Sequence, residues 1–465
     1  MLRTRGDPPD PSWESIVPVE YLRLPVELER VDALLDDERF FAPFAPFFSP
    51  GQGRPSVPVE IYLRLMFLKI RYRLGYESLC AQVADSISWH RFCRIGPDQK
   101  VPHPTTLMKI TTRCGEQAVA QLNAELLAKA NEEKLLRLGK VRADTTVVEA
   151  NVGYPTDSGL LATAITTIAG LARRVKVAGG ATRTACRDRS RAAGRRARRV
   201  VQTLRQRGPH ATERARAAVA RTTAELAGLA ERAAADAAPV LRNARRALRR
   251  ATGRRAGRLR RAVSELATTV DTTSTVVAQA RTRLAGDKPD AATRVVSLHD
   301  RDARPIVKGR LGKPVEFGYK AQIVDNADGV VCDYTVEMGN PPDAPQLAPA
   351  IRRIAALTDR IPRAVTADGI YGEQAIDDEL HSLGVTTVAI PRKGKPDTTR
   401  RADEHRRAFR RLVRWRTGCE GRISYLKRGY GLDRSRLDGL HRTRTWCGYG
   451  ILTHNLVKIA NLAAA

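Results

Sequence analysis

Residues 413–431 read VRWRTGCEGRISYLKRGYG, and how their single acid is placed decides how the rest of the chain is read. Arg416 stands four residues before Glu420, and Lys427 stands seven after it. At about 100° per residue those offsets fall within roughly 40° of the acid, so one helix face carries Arg, Glu and Lys over about 16 Å. A surface ion pair at i,i+4 has the same spacing. Gly418 and Gly421 argue for more, because they weaken a helix and leave room for a backbone or a ligand to approach. An acid flanked by cations on one face can hold a metal ion while the cations hold phosphates on either side.

The chain around this segment alternates strand and helix signals. RAVTAD (363–368) is a short strand ending in an acid, EQAIDDELHSLG (373–384) a helix, and VTTVAIPRKG (385–394) a strand. Upstream, PVEFGYKAQIVDN (314–326) and GVVCDYTVEMGN (329–340) form a hairpin signal around Asp328-Gly329, followed by the amphipathic APQLAPAIRRIAAL (344–357). LGKVRADTTVVEANV contributes a further strand near 139–149. A long basic helix is expected over 403–428 and a last helix over 445–462. This order suits an α/β mixed sheet flanked by helices. If the first and fourth strands are neighbours, Asp144 and Asp368 lie side by side, and a helix packed across them brings Glu420 to the same point. Three converging carboxylates need a cation, and oxygen ligands suit Mg²⁺ or Mn²⁺. Two such ions about 4 Å apart activate an attacking oxygen and stabilise the leaving oxygen of a phosphodiester.

Composition points to the same partner. The 465 residues carry a formal net charge of +30, with 65 Arg and only 15 Lys. So large a guanidinium surplus calls for a polyanion. The first residues, MLRTRGDPPDPSWES, lack the apolar stretch of a signal peptide, and no apolar run approaches the roughly 20 residues of a membrane span. Seven cysteines without CxxC spacing suggest free thiols and a cytosolic location, in bacterial terms the nucleoid.

The domains are expected at 1–55 (an irregular arm with a short helix near 26–38), 56–135 (a helical, helix-turn-helix-like domain), 136–158 with 293–465 (the sheet domain) and 159–292 (a basic helical insertion). In residues 57–74, Ile61, Leu65, Leu68 and Tyr72 share one helix face. Helices near 76–84 and 88–93 break at Asp85-Ser86, and Thr105 or Thr106 is a candidate N-cap for a longer helix. No Phe, Trp or Tyr occurs between Tyr154 and Phe317. Residues 171–290 hold 30 Lys and Arg against 9 Asp and Glu, which is +21 of the whole +30. Alanine and arginine favour helix, with breaks expected at Gly179-Gly180, Gly208-Pro209 and Pro239. A thin helical bundle with small-residue contacts follows, and DNA backbone is the anion that its charge best suits.

With these residues in view, the chain resembles the bacterial insertion-sequence DDE transposases. Arg416, Glu420 and Lys427 match the Arg-x(3)-Glu-x(6)-Lys signature around the last acid of that family. TADGIYG (366–372) looks like the second-acid segment, DTTVVEANVGYPTDSGLL (144–161) like the first, and GYGILTHNLVKIA (448–460) like the closing helix. Residues 56–112 are similar to the family's N-terminal helical domain. The resemblance implies an RNase H-like catalytic domain in which Asp144, Asp368 and Glu420 hold two Mg²⁺ or Mn²⁺ ions and Arg416 and Lys427 contact phosphate. It implies a homodimer or larger synaptic complex acting on terminal inverted repeats and target DNA, with no nucleotide cofactor. Two departures are plain: Val413 stands where many relatives have tyrosine, and the insertion follows the first strand. Asp368 and Glu420 are 52 positions apart, too close for an insertion between them.

Arg245, Arg246, Arg249, Arg250, Arg254 and Arg255 are the insertion cations expected to hold DNA backbone. Glu149 reads as an exposed strand-end acid, Asp300 and Asp302 as turn formers, and Asp157 as a helix N-cap. No HExxH spacing or phosphate loop is present, which disfavours zinc and ATP. Two rival readings share many of these features: a domesticated, catalytically silent DNA-binding protein, and an RNase H-like nuclease for branched or hybrid nucleic acid.

Overall fold

The computed structural model describes residues 1–6, 13–205, 211–308, 312 and 314–465. It divides into two compact units, Met1–Ala150 with Tyr319–Ala465, and Asn151–Gly318. Six strands are named in chain order: β1 (Lys140–Glu149), β2 (Arg304–Val307), β3 (Val315–Asn326), β4 (Val331–Met338), β5 (Ala364–Thr366) and β6 (Thr387–Ala389). In the first unit the spatial order is β4-β3-β1-β5-β6. β3 and β4 are antiparallel, whereas β1, β5 and β6 run parallel. This is an RNase H-like mixed sheet flanked by helices.

Parallel neighbours need crossovers. Leu347–Thr358 follows β4, and Gln374–Ser382 joins β5 to β6. The hairpin turns where expected, with Gly329 at φ 81° supplying the left-handed position. Val331 at the start of β4 is held by Asn455 of the closing helix Leu440–Ala463. Its N–H donates to Asn455 Oδ1 and its carbonyl accepts from Asn455 Nδ2, both at 2.9 Å.

The N-terminal helices pack in the same unit. Val59–Arg71 is buried at every position from 59 to 70, so it is a central helix rather than the one-faced amphipath expected. Its Arg64 is fully buried and reaches Asp32 Oδ1 at 2.7 Å. Tyr72, assigned to the buried face, is the exposed C-cap residue. The helices Tyr76–Ala84 and Ile87–Phe92 break at Asp85-Ser86 as read, with the Ser86 hydroxyl accepting from the Trp89 N–H. The cap of Pro104–Glu132 is His103, not a threonine: its Nδ1 accepts from the Thr105 N–H, and Pro104 starts the helix. Gly448 lets the closing helix cross this one, since a Cβ there would lie 2.5 Å from Val119 Cγ1.

The second unit is helical: Asp157–Val177, Ser190–Leu204, Ala211–Leu248 and Gly253–Leu284, with Ala211–Leu248 packed on the other three. Its core contains no aromatic ring. Alanines such as Ala164, Ala230, Ala237 and Ala244 let the helices approach closely, and leucine, isoleucine and valine fill the remainder. The chain turns at Gly179-Gly180 as expected, but Pro239 lies inside Ala211–Leu248. Ala237, Val240 and Leu241 are buried around it, and this packing carries the helix through the lost hydrogen bond. The break expected at Gly208-Pro209 falls outside the described residues. Thr156, not Asp157, caps the first helix, its hydroxyl accepting from the Gly159 N–H, while Asp157 pairs with Arg283 at 3.1 Å. The strand β2 was not anticipated; it pairs with the first residues of β3, from Arg304↔Gly318 to Val307↔Val315.

Candidate active site

The register of β1 on β5 places the first two acids. Lys140, Val141 and Arg142 lie opposite Ala364, Val365 and Thr366. Asp144 and Asp368 each stand two residues past the last of these pairs, Arg142↔Thr366. Past β5 the chain turns at once: Asp368 is extended, its Oδ1 accepts from the Gly369 N–H at 2.6 Å, and one short turn, Gly369–Tyr371, follows. Gly372 ends that turn against the Pro391 carbonyl, where a Cβ has no space. Asp144 is oriented similarly, with Oδ1 accepting from the Thr145 N–H at 2.7 Å.

The third acid comes from the helix Gly418–Tyr430, and here one expectation is corrected. The basic segment is not one helix over 403–428. It is Thr398–His405, Arg407–Arg416 and Gly418–Tyr430, interrupted at Arg406, which is extended, and at Thr417. In an unbroken helix the Trp415 carbonyl accepts from the Cys419 N–H, and here Arg142 competes for that carbonyl. The Arg142 guanidinium donates to the Trp415 carbonyl at 2.7 Å and lies 4.6 Å from the Trp415 ring centroid. It also forms paired hydrogen bonds of 2.8 and 2.9 Å to Asp325, a fully buried carboxylate on β3 that Arg422 reaches at 3.3 Å. Burial opposes the Arg142 charge, but the hydrogen bonds and charge of Asp325 outweigh it and raise its pKa. Gly418 sits directly on this guanidinium, where a Cβ would collide with Nη1. Gly421 faces open space. The two glycines beside Glu420 therefore serve different ends.

Despite the interruption, Arg416 and Glu420 keep their i,i+4 relation. Arg416 Nη1 is 3.4 Å from Asp144 Oδ2, and Nη2 is 3.8 Å from Glu420 Oε1. Arg416 thus stands between the first and third acids, 14% exposed, while the Glu420 side chain is 71% exposed. Among the described residues no three His, Cys, Asp or Glu side chains already stand close enough to share a metal ion. Arg416 supplies a countercharge to the two acids it reaches. The donor set still fits a hard divalent cation, because it is oxygen throughout. Lys427 is half-buried on the Glu420 helix.

A second ring of residues escaped the sequence reading. Asp343, in the loop after β4, is 8% exposed; its Oδ1 is 2.5 Å from Lys320 Nζ, and its Oδ2 accepts from Thr145 Oγ1 at 3.4 Å. Lys320 also donates to the Pro341 carbonyl at 2.7 Å. Tyr371 is buried close by, its phenol pushed far up by burial and then by the negative charges of Asp343 and Asp144. A signal was available, since a lysine in mid-strand between Tyr319 and Ala321 requires a buried partner.

The remaining candidates are plainly placed. Glu149 is half-buried and paired with Arg434 at 2.9 Å. Asp300 forms its turn by accepting from the Ala303 N–H. All seven cysteines are free, and no helix among the described residues is long and apolar enough to cross a membrane. Arg245, Arg246, Arg249, Arg250, Arg254 and Arg255 are all exposed, and none forms an ion pair among the described residues.

Comparison with known proteins matches residues 17–113 to a family described as a transposase domain (DUF772) and residues 250–456 to a transposase DDE domain. The two matches together span well over half of the chain. The second contains Asp368, Arg416, Glu420 and Lys427, whereas Asp144 lies in neither matched segment. No curated protein and no solved structure matches the chain.

Proposed function

Because this chain belongs to the insertion-sequence DDE transposases, we propose that it binds the terminal inverted repeats of its element as a homodimer or larger synaptic complex, cuts DNA there and joins the freed end to target DNA. The observation that supports this reading is the β1–β5 register, whose last pair, Arg142↔Thr366, stands two residues before both Asp144 and Asp368, together with the Arg416 bridge from Asp144 to Glu420. Asp144, Asp368 and Glu420 would hold a pair of Mg²⁺ or Mn²⁺ ions. Such ions, when bound, lower the pKa of an attacking water and neutralise charge on the leaving oxygen.

The protein's own groups prepare that chemistry. The N–H groups of Thr145 and Gly369 fix the rotamers of the two strand acids. Arg416 balances Asp144 and Glu420 until a phosphate offers a better partner, then holds that phosphate against the site. Lys427, about two turns further along the helix, contacts the backbone on the other side. The buried Arg142–Asp325–Arg422 group keeps the Glu420 helix on the sheet, so the third acid has a fixed base although its side chain is exposed.

The test pairs the purified protein with a short duplex carrying the gene's flanking repeats, in Mg²⁺ or Mn²⁺, scoring both nicking and joining into a second DNA. Joined product in wild type, lost in Asp368→Asn and in Glu420→Gln, is expected. Specific binding without cleavage would support a catalytically silent DNA-binding protein instead. Cleavage indifferent to the repeats would support a nuclease.

A further inference from the structure

A second cationic feature lies in the first unit, away from the acids. The loop 431–439 after the Glu420 helix, the end of the helix Val59–Arg71 and the start of Tyr76–Ala84 border a cleft of about 570 Å³. At its wall is Lys69, only 6% exposed. Its ammonium lies 4.6 Å from the Tyr76 ring centroid and 5.1 Å from that of Trp446. Among the described residues no carboxylate or carbonyl accepts from it. The charged group that acts on it is another cation, Arg436, and burial followed by that repulsion brings its pKa down to about 8. Both acids of the cleft are already engaged: Glu149 with Arg434 at 2.9 Å, and Asp433 with Arg73 at 3.5 Å. A buried ammonium without an anion is costly, and aromatic faces compensate it only in part. An anion from outside would complete the site.

The cleft's position identifies which anion. Glu149 ends the strand that carries Asp144 five residues earlier, a span of about 16 Å. Tyr430 ends the helix that carries Glu420 ten residues earlier, a span of about 15 Å. Two rigid elements thus lead from the acids to the same cleft. At 3.4 Å of axis per phosphate on one strand, that distance corresponds to about four or five nucleotides. We infer that the Lys69–Arg436 cleft takes a backbone phosphate of the bound DNA, about four or five nucleotides from the bond that is cut; the inference rests on the transposase reading for its DNA.

The experiment uses the full chain and the flanking-repeat duplex, measuring the salt dependence of binding, proton uptake by calorimetry at pH 8 in two buffers, and Tm. Wild type should take up protons on binding, because an anion beside Lys69 raises its pKa. Lys69→Met should lose that uptake, bind with a salt slope shallower by about one unit, and melt at or above the wild-type temperature. Arg436→Gln, at an exposed position, should also bind with a shallower slope. An unchanged slope and uptake in Lys69→Met overturns the cleft while leaving the transposase reading intact. So does a fall in Tm with DNA binding unaltered, which would make Lys69 purely structural. If inorganic phosphate raises the wild-type Tm more than chloride at equal ionic strength while the duplex slope is the same in both proteins, the site takes small anions and not DNA. Failure of wild type to bind any duplex at low salt removes the transposase reading and this inference with it.

Discussion

Gly418 and Gly421 flank the same glutamate and should respond oppositely to a methyl group. At 418 the added Cβ meets the Arg142 guanidinium, whose geometry is held by Asp325 and the Trp415 carbonyl. Gly418→Ala should therefore cost about 1–3 kcal/mol as the buried group shifts. At 421 the Cβ enters open space on a helix, so Gly421→Ala should gain about 0.5–1 kcal/mol. Urea unfolding midpoints of the two variants check the contrast, and equal shifts would remove the steric argument. Asp325→Asn is more severe: it leaves Arg142 and Arg422 buried without their anion, a loss of about 3–5 kcal/mol. Because the same group seats the Glu420 helix, strand cleavage should fall with it.

At the scale of elements, the closing helix is what makes the β3–β4 hairpin part of the core. Asn455 satisfies both backbone groups of Val331, so Asn455→Leu should cost about 2–4 kcal/mol for two buried groups left unpaired. One residue earlier, His454 donates from Nε2 to the Gly329 carbonyl. Burial brings its pKa down to about 3, with the charges of Arg422 and Lys458 adding to the effect against the opposing Gly329 hydrogen bond. The unfolded chain, with a histidine near 6.5, then takes up a proton that the native state refuses. Stability should fall as pH drops from about 7 towards 4. His454→Asn should flatten that part of the profile, measured as urea midpoints at neutral and mildly acid pH. A wild-type profile that rises on acidification would contradict the assignment.

On the scale of the whole molecule, charge is the dominant quantity. Most of the +21 of residues 171–290 lies on helices whose alanine-rich core contains no arginine. Exposed arginines without ion-pair partners are available to phosphate. Replacing four of Arg245, Arg246, Arg249, Arg250, Arg254 and Arg255 with glutamine should make the salt slope of duplex binding shallower by about 3–4 units if each meets a phosphate. An unchanged slope would show that these helices do not touch DNA. The buried Lys69 adds a pH signature of its own. Its folded pKa of about 8 lies below the unfolded value near 10.4, so the cost of its charge is complete below pH 8 and fades as pH rises towards the unfolded value. The stability gain of Lys69→Met should therefore be largest near neutral pH and shrink in alkali.

Local pattern was enough for the elements themselves. Alternation and turn residues marked β1, β3, β4, β5 and β6 and the helices between them, because a half-buried strand or helix face writes its period into the chain. The pairing of β1 with β5, which strand signals alone left as a condition, was decided by the fold. What local pattern could not supply was the set of contacts made by groups far apart in sequence. The break at Thr417 depends on Arg142, about 275 residues away in the chain; the caps His103 and Thr156 were chosen over equally suitable neighbours; and Pro239 was carried through a helix by packing around it. The Lys320–Asp343–Thr145 contacts behind Asp144 and the aromatic faces against Lys69 have the same origin. In each case a buried charge or an unpaired backbone group is satisfied by whatever the fold brings near it, and that neighbour is a property of three-dimensional packing, to which one-dimensional spacing is blind.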